Sequence, residues 1–347
     1  MARPRVNAAV QDKTAWLPLL AAAATVLLWS SAFAAIAYGL RAFSPAELSL
    51  LRFGVASLCL AVPVAFGAIK LPPLRDWPAV AALALIGMTL YQLCLGYAMT
   101  RIPAGAAAVI IALAPGVTAA LAALRLGEAL TRRMGVGLAV AFCGVILVTL
   151  GSGRQIRFEP LALLVLVAVL ATSIYFVWQK PLLARTNTIG FTTASIFAAT
   201  LGLLPFGLHL PEKIALASNA QLVSAVYLGI APTVLGYLCW NWALSRAPAA
   251  TVTSFIYVQP LFASVIAWFW LGQTLSALAI AGGVLAVAGV VLTIRGSGAA
   301  RSTRAVRDDA GAGIKKNVGE CCRKILSGYA EPACESSVHG RIVAHWR

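Results

Sequence analysis

Ten long apolar runs, separated by short breaks of proline, glycine or charge, constrain this chain more than any other feature. They fall near 16–38, 46–67, 78–98, 104–124, 132–150, 159–180, 190–208, 221–244, 251–271 and 275–294. Each is close to the ~20 residues a helix needs to cross hydrocarbon. Lipid offers the backbone no hydrogen-bond partner, so a spanning segment must close its bonds as a helix or within a barrel. None of these runs alternates polar and apolar as a barrel strand does. The expected fold class is therefore an all-α integral membrane protein with ten transmembrane helices. Only 11% of the 347 residues are charged and the mean hydropathy is +0.87, which excludes a soluble domain.

The runs repeat. Leu93-Cys94 returns as Leu238-Cys239, and Arg101-Ile102-Pro103-Ala104 as Arg246-Ala247-Pro248-Ala249. Pro115 returns as Pro260, Leu126-Gly127 as Leu271-Gly272, and Gly151-Ser152-Gly153 as Gly296-Ser297-Gly298, each 145 residues on. Ser31 aligns more loosely with Ser173. Each repeat holds five spans, and an odd number inverts the second copy relative to the first. Inverted repeats are a mark of secondary transporters, with the substrate site near the midplane between them. The expected organisation is a cytoplasmic segment 1–15, repeats 16–153 and 154–298, and a basic, disordered cytoplasmic tail 299–347.

The chain resembles the drug/metabolite transporter superfamily, specifically its EamA-like ten-helix branch. Trp29-Ser30-Ser31-Ala32-Phe33, Leu51-Arg52-Phe53, the two Arg-x-Pro-Ala segments and Leu126-Gly127-Glu128 carry that resemblance. It implies two five-helix bundles around a central cavity in the bacterial inner membrane, with export the common direction. It implies no particular substrate. Gln273 stands where the first copy has Glu128, so the carboxylate is not needed twice for packing.

The net charge of +16 sits mainly in loops and the tail. That is the pattern of cytoplasmic membrane flanks rather than of a nucleic-acid face. With the N-terminus inside, the inner segments before the tail hold eleven Lys and Arg against five in the outer loops, the Arg154/Arg157 loop being the exception. Both termini are expected in the cytoplasm. The chain from Trp16 is read as a retained first span, and all seven cysteines as reduced.

Arg52 is the one ionisable residue well inside a span. A charge there costs at least about 2.5–3.5 kcal/mol, so it must face a cavity or a partner. One reading is a clamp for a substrate carboxylate, which a guanidinium pairs bidentately. The other is a structural arginine bonding helix-end carbonyls or Glu47, favoured because the resembled family commonly has an arginine here across unlike substrates. Tyr237, Trp240 and Asn241 share a helix face, as do Tyr175, Trp178 and Gln179. Tyr91 and Gln92 lie on the third helix, Tyr257 and Gln259 diverge on the ninth, and the resemblance adds Trp29 and Ser31. Rings with a few amides suit a small amphipathic solute; the alternative is an interfacial belt or helix packing, expected for Trp178 and Trp242. Pro115 and Pro260 predict matched kinks. Gly135, Gly137, Gly144, Gly282, Gly283 and Gly289 predict close helix packing, and Glu128 is expected to complement the dipole of the helix that follows it.

No span has an acid at its middle, which disfavours proton antiport through a buried carboxylate. No histidine or nucleophile motif supports an enzyme, and no cofactor or metal set appears; Cys321, Cys322, Cys334, His339 and His345 match no standard ligand spacing. The expected function is export of small amphipathic metabolites such as amino acids or their derivatives by alternating access. Export of hydrophobic drugs or dyes, or a non-transporting scaffold or sensor, are the alternatives. The expected partners are a small-molecule substrate and the lipid bilayer, with a homodimer left open and no nucleic acid.

Overall fold

The structure is a computed structural model that describes residues 16–101, 110–151, 161–262, 265 and 276–297. The segments 1–15 and 299–347, the Arg154/Arg157 loop, Gln273 and the start of the fourth predicted span lie outside the described residues. Among the described residues all regular structure is helical.

We number the main helices α1 (Leu17–Gly39), α2 (Pro45–Ala65), α3 (Leu74–Ala98), α4 (Ala114–Leu126), α5 (Arg132–Gly151), α6 (Ala162–Arg185), α7 (Thr188–Leu203), α8 (Asn219–Arg246), α9 (Ala249–Phe262) and α10 (Ala277–Ser297). A short helix, Leu210–Leu216, joins α7 to α8. Seven of these, α2, α3, α5, α6, α7, α8 and α10, are long and apolar enough to cross a membrane. The described apolar parts of α1, α4 and α9 are shorter. Leu58, Leu201 and Val284 point outward with 72%, 63% and 67% of their surface exposed, as lipid-facing side chains do. α6 runs about one turn past its expected end and so takes in Arg185.

Local sequence explains the boundaries. Ser44 and Glu47 form a capping box on α2, the Ser44 amide donating to Glu47 Oε2 (2.7 Å) and the Glu47 amide to Ser44 Oγ (3.3 Å). At the matching place in the second repeat, Asn187 Oδ1 accepts from the Ile189 amide to cap α7. Gly127 ends α4 at φ +62°, a conformation that favours glycine.

Two irregularities recur at matching positions. α3 is π-helical over Leu85–Leu90 and α8 over Gly229–Leu235. The fourth helix of each repeat is broken just before its proline: a turn at Ala112–Leu113 precedes Pro115, and a 3-10 segment, Phe255–Val258, precedes Pro260.

The repeats interleave. α1 packs along α8, α6 along α3 and α4, and α2 along α7. α5 and α10 meet backbone to backbone. A Cβ on Gly137 would lie 2.7 Å from the Gly289 oxygen, and one on Gly144 would lie 2.6 Å from the Gly282 oxygen. The expected glycine packing holds at these four and at Gly283, which faces Leu261. Gly135 has open space around it, because it lies on the opposite flank of α5.

Candidate functional site

The site begins with a proline. Pro232 has no amide hydrogen, so the Leu228 carbonyl loses its helical donor. The Thr233 hydroxyl also donates to that carbonyl (2.7 Å), and its oxygen accepts from Arg52 Nε (3.0 Å). The Pro232 carbonyl, itself displaced by the π-turn, accepts from Trp29 Nε1 (3.0 Å). One proline in the second repeat thus anchors an arginine and a tryptophan from the first.

Arg52 is 7% exposed and makes this one hydrogen bond among the described residues. Glu47 is not its partner, because that carboxylate is spent on the α2 cap. Nor does the guanidinium bond a helix-end carbonyl; Thr233 takes that place. Arg52 lines a cleft between α1, α2 and α3 together with Ser49, Gln92, Ile36, Leu48 and Met99. Tyr91 and Tyr237 lie within electrostatic reach of its charge.

Next to the cleft is a packed group of rings. Trp29 meets Tyr237 edge-on at 5.7 Å and Trp240 at 4.9 Å; Phe176 meets Trp240 at 5.1 Å. Tyr237, Trp240 and Asn241 are all buried, as their shared face predicts. Tyr175 and Gln179 are fully buried, but Trp178, on the flank of that face, is 36% exposed. The Tyr175 hydroxyl faces Asn241 and Ser195. Asn241 Nδ2 donates to Thr192 Oγ1 (3.0 Å).

Three predicted residues stand apart. Tyr257 packs in a separate core with Met134, Leu138 and Val290. Gln259 offers its backbone carbonyl to Ser30. Ser31 pairs with Tyr227 at an exposed position. The divergence of Tyr257 and Gln259 presumes a regular helix, and the 3-10 segment there changes where they point.

Glu128 also differs from expectation. It does not serve the helix that follows it. Its Oε1 accepts from Lys180 Nζ (2.6 Å), and its Oε2 accepts from the Ala249 amide (2.9 Å) at the start of α9. Lys180 Nζ donates further to the Ala247 carbonyl (2.8 Å). A second ion pair, Asp76 with Arg185 Nη2 (2.7 Å), joins α3 to α6. Both pairs link an acid of the first repeat to a base of the second, at the C-terminal end of α6. The cleft residues Leu40, Pro45 and Met99 lie toward the opposite end of the bundle. Sequence reasoning missed Thr233, Phe176 and the Glu128 partners. Only Thr233 carried a local signal, as a hydroxyl beside a helix proline.

Comparison with known proteins places this architecture. The sequence profile of the EamA-like transporter family matches residues 16–150 and again 160–295. The chain belongs to the EamA-like transporter family. This EamA-like protein is 37% identical over 284 residues to a "Probable terminal-alkyne amino-acid exporter" of Streptantibioticus cattleyicolor, covering 82% of this chain and 94% of the relative. It is 30% identical to the "Uncharacterized inner membrane transporter YedA" of Escherichia coli K12 (80% and 91% covered). It is 25% identical to a "Probable amino-acid metabolite efflux pump" of Salmonella typhimurium (80% and 95% covered). A solved crystal structure shares its fold at TM-score 0.67 and 20% identity, covering 79% of this chain and 95% of that one. The EamA-like chain is thus a multi-pass membrane transporter.

Proposed function

We propose that this transporter exports small amphipathic solutes of the amino-acid class across the inner membrane by alternating access. In this reading the described helices are ten spans in two inverted repeats, 16–153 and 154–298. Both termini lie in the cytoplasm, which the basic flanks favour. The ion-paired end then faces the cytoplasm and the Arg52 cleft faces outward. The printed names of two relatives, an amino-acid exporter and an amino-acid metabolite efflux pump, favour the solute class.

The observation that carries the proposal is Arg52. A buried guanidinium is costly in a membrane, yet among the described residues this one's hydrogen bond is made from Nε, its carbon lies 5.6 Å from the Phe53 ring, and it borders a cleft that holds Gln92. That leaves its terminal nitrogens for the parallel pair of bonds a carboxylate makes. Packed rings beside it suit an apolar side chain.

The test is expression in a bacterium sensitised to amino acids and their toxic analogues, with Arg52→Ala and Arg52→Lys at equal membrane abundance. Resistance to carboxylate-bearing solutes is expected to vanish in Arg52→Ala. It should return only partly in Arg52→Lys, because an ammonium lacks the fork. Resistance to cationic dyes that survives Arg52→Ala, with none to amino acids, sinks the reading and supports drug export. Silence for every solute in purified liposomes supports a non-transporting scaffold.

A further inference from the structure

A second polar group lies on the ion-paired side of the rings. Gln179 Nε2 and Oε1, Trp240 Nε1, Asn241 Oδ1 and the Tyr175 hydroxyl that faces Asn241 are buried without a hydrogen-bond partner, on residues with 0% exposure. The orientation of Asn241 follows from its neighbour. The Thr192 hydroxyl gives its one proton to the Thr188 carbonyl, so it accepts from Asn241 Nδ2, and Oδ1 is left over. The Ser195 proton is likewise committed, to the Phe191 carbonyl. The helices that carry these groups, α6, α7 and α8, pack on one another.

An unpartnered buried polar atom is costly, and an apolar side chain of the same shape is often as stable or more so. Native proteins keep few such atoms, and each calls for a reason. The position supplies one. Gln179 is the sequence neighbour of Lys180 in the Glu128 clasp. Trp240 packs against Trp29, whose indole reaches Pro232 beside the threonine that holds Arg52. The group therefore lies between the closed end and the cleft.

We propose that Gln179, Trp240 and Asn241 form an inner binding station for the zwitterionic head of an α-amino acid, occupied when the clasp end opens. The ammonium is taken by Asn241 Oδ1 and Gln179 Oε1, the carboxylate by Gln179 Nε2 and Trp240 Nε1. Neutral dipoles serve here because the station must close dry, and an unoccupied charge would make that closure far costlier. The outer cleft, with its guanidinium, recognises the carboxylate alone. This inference rests on the export reading above.

The experiment is counterflow of labelled L-norvaline and N-acetyl-L-norvaline in liposomes, with Gln179→Met and Asn241→Leu, each variant's thermal stability measured beside the wild type. The wild type is expected to carry norvaline and not its acetyl derivative. Gln179→Met should keep or gain thermal stability, and Asn241→Leu should lose no more than its one hydrogen bond to Thr192 accounts for, while the KM of each rises about tenfold or more, the scale of one lost hydrogen bond to a charged group. An unchanged KM in either variant overturns the station and leaves export standing, as does a clear fall in the thermal stability of Gln179→Met, which marks that side chain as structural. Equal transport of the acetylated probe overturns the ammonium contact. No norvaline flux by the wild type overturns the amino-acid reading and the station's ligand together.

Discussion

The π-turn of α3, Leu85–Leu90, and that of α8, Gly229–Leu235, occupy the same place in the two repeats but meet opposite surroundings. The first is met by Tyr175 of α6, so closely that a Cβ on Gly87 would lie 2.1 Å from the tyrosine Cβ. The second is met by Trp29 of α1, whose indole lies 2.9 Å from where a Cβ on Gly236 would sit. Each repeat therefore offers an aromatic from its first helix to the distorted third helix of the other. Only the second contact is polar: Pro232 supplies a carbonyl to Trp29 and a threonine-bridged seat for Arg52. The residue in register with Pro232 is Gly87, which supplies closeness and nothing to bond. The two repeats share a backbone plan and divide the chemistry between them.

That division can be broken at graded cost. Gly87→Ala should have the largest effect, because the new methyl strikes the root of Tyr175 and α3 must move off α6. Overpacking of this kind costs about 1–3 kcal/mol, read as a lower melting temperature in detergent. Gly236→Ala should cost less, since the far end of an indole can shift. Glu128→Gln makes the first copy match Gln273. It removes a charge-assisted pair at partly buried positions, worth about 1–2 kcal/mol. It should also raise the rate at which a thiol reagent labels Cys placed at Ala247. An unchanged labelling rate would mean that the clasp does not hold that end shut. Trp29→Phe forfeits one hydrogen bond, about 1 kcal/mol, while Tyr175→Phe should leave stability level or raised. Equal losses in the two would erase the polar difference between the contacts. The smallest contrast is at the second helices: Ser44→Ala breaks a two-way capping box for about 1 kcal/mol, and Asn187→Ala should lower the melting temperature less.

The apolar runs disclosed the helices because lipid makes that inference nearly one-to-one, and the register between Arg101 and Arg246 disclosed the matched breaks at Pro115 and Pro260. The shared face of Tyr237, Trp240 and Asn241 was legible because it depends on local periodicity alone. What those side chains touch was not legible. Arg52 finds Thr233 181 residues away, and Glu128 finds Ala249 121 residues away. A π-turn leaves no compositional mark, since it adds one residue to a helix turn without requiring any residue type. Tyr257 was misplaced for a related reason: the 3-10 segment at Phe255–Val258 rotates it into the packing of α5 and α10.

The glycine seam between α5 and α10 treats the two halves as if they were subunits. Gly137 faces Gly289 and Gly144 faces Gly282, and exchanging the halves exchanges the two contacts. That is the signature of an isologous interface, in which one patch complements itself. A chain carrying a single five-helix half would present a face able to pair with a second copy of itself, antiparallel, without a new contact. In the joined protein the same self-matching surface has a cost of another kind: any side chain added on one helix of the seam meets bare backbone on the other, so none of the four glycines can gain a side chain unless the two helices move apart.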